Sequence, residues 1–166
     1  MLFKAILVAI GANLPSTAGR SPLETCEWAA SRLSCETGLK LELVSRWYVT
    51  RPVPMSEQPS FINGVALLSG AADPYGLLQS LHAIEASAGR VRGPVNSART
   101  LDLDLLAMDQ LVMTDPKLTI PHPRLQDRAF VLAPLCDALP DWRHPVLGLS
   151  ARTLLARVAN QAIHAM

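Results

Sequence analysis

The alternation of apolar and polar positions divides the chain into strands and helices. Phe3 to Ile10 is a nearly continuous apolar run that ends at Gly11 and reads as a buried strand. Gly11-Ala12-Asn13-Leu14-Pro15 reads as a turn. A helix start follows. Ser21 can cap, Pro22 suits the first helical position, and Glu24 completes a capping box. Helical character runs to Thr37, and Gly38 supplies a left-handed stop. Leu39, Leu41 and Leu43 alternate with Lys40 and Glu42, which predicts one strand running toward Tyr48. The stretch from Thr50 to Ser60 carries Pro52, Pro54 and Pro59 and reads as a semi-rigid loop. Phe61 to Leu68 is the next strand. Asp73-Pro74 opens a second helix, which runs to about Ser87, before Gly89. A loop from Arg90 to Thr100 leads into a strand with Leu101, Leu103 and Leu105 on one face. Short strands at Leu111–Met113 and Leu118–Ile120 come next, then Pro121-His122-Pro123. Arg128 to Ala138 reads as a helix interrupted near Pro134. The stretch from Trp142 to Gly148 reads as irregular, and Ser150 caps a last helix that fades toward the C-terminus.

The order β-α-β-β-α-β predicts an α+β fold. It fits a ferredoxin-like antiparallel sheet with helices packed on it, in a three-layer α-β-α arrangement with a C-terminal extension. With 166 residues and no linker or repeat, a single domain over residues 1–166 is expected. Apolar residues make up 49% and charged residues 17%, a composition able to bury a core and unlike a disordered chain. The net charge of +1 gives the whole molecule no bias toward nucleic acid or acidic membranes, so any anion preference must come from local clustering. Cys26, Cys35 and Cys136 are too few and scattered for a disulfide framework or a zinc site, and read as buried, reduced thiols. The apolar run at Met1 to Ile10 is too short to span a bilayer and lacks the flanks of a signal peptide, so a cytoplasmic location is expected.

Candidate chemistry concentrates around the strand Leu101 to Leu106. In an extended backbone Asp102 and Asp104 lie side by side on one face. Two adjacent carboxylates repel unless a cation sits between them, and Mg²⁺ takes one or two carboxylates together with substrate phosphates. A half-exposed strand with a solvated acidic face would show the same alternation. Arg90, Arg92 and Arg99 lie just before this strand in an acid-free loop, and arginine forks clamp phosphates. A solvated basic loop is the plain alternative. His122 lies between two prolines, close to Arg124 and Arg128, which suits contact with a nucleotide phosphate, although a lone histidine is more often structural. Phe61 and Asn63 share a strand face. A ring beside an amide can hold a flat heterocycle, with Phe130 as the opposing ring, although both phenylalanines also suit a core. P-loop, dinucleotide-fold, nucleophile-elbow and protein-kinase motifs are absent from the sequence.

Taken in order, the motifs resemble the 6-hydroxymethyl-7,8-dihydropterin pyrophosphokinases, enzymes of folate biosynthesis. The matching pieces are Gly11-Ala12-Asn13-Leu14, Tyr48-Val49-Thr50, Gln58-Pro59-Ser60-Phe61-Ile62-Asn63 and Ile84-Glu85 with Gly89-Arg90-Val91-Arg92. They continue with Arg99-Thr100-Leu101-Asp102-Leu103-Asp104, Ile120-Pro121-His122-Pro123-Arg124, and Arg128-Ala129-Phe130-Val131-Leu132 with Pro134-Leu135. The resemblance implies transfer of a pyrophosphoryl group from ATP to the pterin hydroxymethyl group, with release of AMP. It implies two Mg²⁺ ions on Asp102 and Asp104, with Arg90, Arg92 and Arg99 acting on the transferred phosphates. Glu85, Leu105, Thr119, His122 and Arg128 are implied at ATP. Thr50, Pro52, Val53, Phe61, Asn63 and Phe130 are implied at the pterin, the two phenylalanines as rings that sandwich it. No residue is implied as an obligatory general base. The expected partners are these small molecules, with no nucleic acid and no membrane, and the chain is expected to act as a monomer.

The chain departs from the common family pattern at Ala12, Arg51, His82 and Asn96-Ser97-Ala98, the last replacing a frequent Trp-Gly-Pro. These departures imply altered loop closure with the chemistry retained. They also leave open a catalytically weak pterin- or nucleotide-binding paralogue. An RNA-binding sheet is a further reading, opposed by the small net charge and by only three Phe and two Tyr.

Overall fold

The computed structural model describes residues 1–51, 59–89 and 100–166. Strand β1 (Leu2–Ala12) is followed by helix α1 (Pro22–Thr37), strands β2 (Lys40–Val44), β3 (Tyr48–Thr50) and β4 (Phe61–Ala71), helix α2 (Pro74–Ser87) and strand β5 (Asp102–Met108). A small hairpin of β6 (Met113–Thr114) and β7 (Thr119–Ile120) comes next. A 3₁₀ turn (Leu125–Asp127), α3 (Ala129–Ala138), α4 (Ala151–Arg157) and β8 (Ile163–Ala165) complete the chain.

The main sheet runs β5-β1-β4-β3-β8, with β2 also paired to β4, and every pairing is antiparallel. This is the strand order expected of the ferredoxin-like layout. Both faces are covered. Ile6, Val8 and Ile10 of β1 pack with Leu101, Leu103 and Leu105 under α1 and α2. Leu7, Val65 and Leu67 pack under α3 and α4 with Val131, Leu132, Leu135 and Leu154. Two buried faces explain why β1 reads as a continuous apolar run rather than an alternating one. The register of β5 against β1 shifts between Leu7 and Val8. The shift lets Leu106 and Ala107 both face the α3 layer, while Leu105 and Met108 face α1 and α2.

Helix α1 follows its sequence signals closely. Ser21 Oγ accepts from Glu24 N, Glu24 Oε1 accepts from Ser21 N, and Gly38 closes the helix at φ 72°. Other details differ from expectation. The single strand expected from Leu39 to Tyr48 is two strands, both paired with β4. Between them Ser45 leaves the regular ladder, and its Oγ accepts from Val65 N at 2.9 Å. Helix α3 runs through Pro134 without interruption. The proline has no N–H to donate to Phe130, and the buried packing of Val131, Leu132 and Leu135 offsets that loss. Strand β8, which the pattern did not indicate, pairs with β3 from Tyr48↔Ala165 to Thr50↔Ile163. Cys26 is buried and Cys35 is exposed, so the expectation of uniformly buried thiols is corrected. Nine residues of separation place the two on opposite sides of α1. Burial pushes the Cys26 thiol up to about 12, which keeps it protonated. Among the described residues, no helix is long and apolar enough to cross a membrane.

Candidate active site

The site grows from one transverse row of the sheet. Asp102 on β5 faces Gly11 on β1, Gly11 faces Asn63 on β4, and Asn63 faces Tyr48 on β3. Residues directly opposite in an antiparallel ladder share a face. Asp102, Asn63 and Tyr48 therefore stand on the α3 side, with no side chain between the first two. A Cβ built at Gly11 would lie 2.8 Å from Asn63 Oδ1, so only glycine leaves room for that amide. One step along, Asp104 faces Ala9, and Ala9 faces Val65. The sheet thus sets both carboxylates on one face, as the i, i+2 spacing predicts, with their leucine neighbours in the opposite core.

On one side of this row lies a cleft of about 290 Å³. Asp102, Asp104, Glu85, Leu105, Thr119 and His122 all line it, so β5, α2 and the β6–β7 hairpin bring six of the sequence candidates together. Glu85 is 3% exposed, and its Oε2 accepts from Leu103 N at 2.9 Å. It therefore grips the backbone between the two aspartates. Thr119 Oγ1 donates to Asp115 O, and Leu105 is 3% exposed at the wall. His122 is fixed by its own backbone, since His122 N donates to Leu106 O at 2.8 Å. Its Nδ1 accepts from Arg124 N at 3.1 Å. Burial, then the positive charges of Arg128 and Arg124, push its imidazole down to about 4 against the opposing pull of Asp102. The ring is neutral at pH 7, and its Nε2 is the protonated nitrogen. Lys117, which the sequence reading passed over, also lines the cleft. Its position two residues before Thr119 on a short hairpin was the available signal.

On the other side of the row, Thr50, Phe61 and Asn63 share the α3 face of β3 and β4. Asn63 Nδ2 donates to Thr50 Oγ1 at 2.9 Å, which leaves the Asn63 carbonyl oriented beside Gly11. Phe61 and Phe130 are both only partly buried. Phe130 lies at the start of α3, and the Arg128 guanidinium carbon stands 5.4 Å from its ring centroid. Asn13 Nδ2 donates to Pro59 O at 3.1 Å, linking the end of β1 to the approach of β4. Pro52, Val53, Arg90, Arg92 and Arg99 lie outside the described residues, as do Asn96, Ser97 and Ala98.

Residues 7–140 match the family model 7,8-dihydro-6-hydroxymethylpterin-pyrophosphokinase (HPPK). The chain belongs to this family. It is 39% identical over 144 residues to the 2-amino-4-hydroxy-6-hydroxymethyldihydropteridine pyrophosphokinase of Pseudomonas aeruginosa, covering 87% of this chain and 86% of that one. It is 36% identical over 157 residues to the protein of the same name from Synechocystis, covering 95% and 77%. Among solved structures it is similar to the HPPK-DHPS of Plasmodium falciparum, with a TM-score of 0.69 at 15% identity. That match covers 95% of this chain and 45% of the solved one, so this HPPK-family chain spans less than half of it. At that identity the likeness bears on the fold alone.

Proposed function

We propose that this chain transfers the pyrophosphoryl group of ATP to the hydroxymethyl group of 6-hydroxymethyl-7,8-dihydropterin, a step of folate biosynthesis, across the row Asp102–Gly11–Asn63. The pterin hydroxyl oxygen forms a bond to the β-phosphorus of ATP. The bond from that phosphorus to the oxygen bridging the α-phosphorus breaks, AMP leaves with the bridging oxygen, and the hydroxyl proton is released. The observation that carries this reading is that one sheet row holds Asp102 on the cleft side, with Asp104 one step along the same face, and an anchored amide on the other side. A gap of bare glycine backbone lies between them.

The donor set fits a hard divalent cation. Two adjacent carboxylates line a polar cleft, and among the described residues no group of three or more His, Cys, Asp or Glu stands ready to enclose a metal. Such a pair leaves coordination positions for water and substrate phosphates, the usual manner of Mg²⁺. Asp102 and Asp104 would hold Mg²⁺, two ions in this proposal, and the metal would neutralise phosphate charge and align the reacting oxygens. The protein side chains do the rest. His122, whose Nδ1 is taken by Arg124 N, offers an Nε2–H to a phosphate oxygen. Glu85 holds the β5 backbone at Leu103, between the aspartates. Asn63, held by Thr50, meets the pterin edge with its carbonyl, and Phe61 and Phe130 take the faces of the ring. Arg90, Arg92 and Arg99 enter as stabilisers of transition-state charge. In this proposal the chain acts as a monomer.

The test is pterin-dependent AMP release, followed chromatographically. Asp102→Ala and Asp104→Ala should each lower turnover by on the order of 10²–10³ or more, with an unchanged circular-dichroism spectrum. A near-normal rate from either variant would overturn the metal assignment.

A further inference from the structure

Helix α3 is fastened to the sheet by a polar cluster that the chemistry above does not use. Tyr48 Oη donates to Asp137 Oδ2 at 2.7 Å. Arg46 Nε and Nη2 donate to the two oxygens of the same carboxylate at 3.2 and 3.1 Å, and Nη2 also donates to Tyr48 Oη at 3.1 Å. The guanidinium carbon lies 5.6 Å from the Tyr48 ring centroid. Tyr48 is 6% exposed, whereas Arg46 is largely in solvent. The Tyr48–Asp137 bond is thus the sheltered part of the cluster, and the Arg46–Asp137 pair is screened by water. Burial, then the bond to Asp137, push the Tyr48 hydroxyl up to about 12, so it stays a donor throughout the neutral range.

The two ends of this fastening lead into the same slot. Asp137 follows Phe130 by seven residues in α3, so the two lie on one side of the helix, two turns apart. Tyr48 faces Asn63 across the ladder and precedes Thr50, the residue that orients Asn63, by two positions on the same face. We infer that Tyr48 and Asp137, steadied by Arg46, are positioning residues that set the separation between Phe130 on α3 and the Asn63–Thr50 platform, and so determine how tightly the flat heterocycle is held. The inference rests on the reading of that slot as the pterin site.

The experiment measures equilibrium pterin binding, together with KM for each substrate, in Tyr48→Phe, Asp137→Ala, Asp137→Asn and Arg46→Ala, well below the melting temperature of each. Tyr48→Phe keeps the ring and its packing while removing the donor. It should weaken pterin binding on the order of tenfold, since small misplacements of binding groups have large effects, and leave KM for ATP unchanged. Asp137→Ala should do the same, whereas Asp137→Asn, which keeps an acceptor for the phenol, should recover most of the loss. Arg46→Ala should have the smallest effect. Tyr48→Phe with normal pterin affinity overturns the inference, as does a loss shared equally by ATP and pterin. Asn63→Ala is the separate control for the slot. If it binds pterin normally, the slot reading itself fails, and the positioning role falls with it.

Discussion

Glu85 offers a quantitative test of how the aspartate strand is held. Strand β5 is at the edge of the sheet, so among the described residues the backbone groups on its outer side have no neighbouring strand. Leu103 N is one of them, and it is satisfied by Glu85 Oε2 from α2 at 2.9 Å. Glu85→Ala removes that acceptor. Leaving a sheltered backbone donor unpaired costs about 1–3 kcal/mol, and the lost methylene adds about 0.8 kcal/mol. The cleft beside Leu103 admits water, which offsets part of the first contribution. The net loss should be about 2–3 kcal/mol, equivalent to a fall of about 5–10 °C in Tm for a chain of this size. Glu85→Gln keeps an acceptor oxygen and should lose less than half as much. Urea unfolding gives the energy. Hydrogen exchange of the Leu103 amide in the folded protein locates it, and that amide should exchange at least tenfold faster in Glu85→Ala. Unchanged exchange at Leu103 in Glu85→Ala would refute the claim that Glu85 holds the strand. Metal affinity should fall in the same variant, because the two carboxylates flank the freed peptide.

Two other perturbations follow from specific contacts. Gly11→Ala puts a methyl 2.8 Å from Asn63 Oδ1 and should turn that amide away, so pterin binding measured by titration should drop by about tenfold or more while ATP binding persists; equal pterin affinity would count against the Asn63 assignment. His144 is 5% exposed, its Nδ1 accepts from Val146 N and Leu147 N, and burial holds its imidazole below the ordinary histidine range. The neutral form is the one that folds, so its contribution is complete above the unfolded value near 6.5 and declines as pH falls below it. The stability gap between wild type and His144→Gln, taken from urea midpoints, should therefore narrow from pH 7.5 to 5.5, and a constant gap would exclude the linkage.

How much of this was readable in advance depended on how local each signal is. The α1 cap rests on residues within one turn, so Ser21, Pro22, Glu24 and Gly38 marked both ends. The aspartate strand was readable because side-chain alternation is a property of the strand itself. The β2–β3 break was not, because it depends on Ser45 meeting Val65 across the sheet. Strand β8 has three residues, too few to carry a periodicity, and exists because β3 offers it an edge. Glu85 could be placed near the nucleotide by resemblance, but its grip on Leu103 N spans eighteen residues and needed the packing of α2 on β5. Arg46 and Asp137 are ninety-one residues apart, and nothing in either neighbourhood announces the other.

The central strand also accounts for where the proposed reaction would sit. On the α3 side, β1 presents Ala5, Leu7, Ala9 and Gly11 in turn. Leu7 belongs to the core under α3 and is fully buried, whereas Ala9 is only partly covered and Gly11 has no side chain. The sheet therefore loses height along β1 just where Asp104, Asp102 and Asn63 rise on its neighbours. A larger residue at position 9 or 11 would fill the space between carboxylates and amide, and the two substrates could no longer approach each other across it. A glycine within a strand weakens packing and often marks a place where a ligand approaches the backbone closely. Here that place lies between a polar cleft and a ring-and-amide platform, which is what in-line transfer between two bound molecules requires. The proposed catalytic geometry thus depends on an absence of side chains in β1 as much as on the acids of β5.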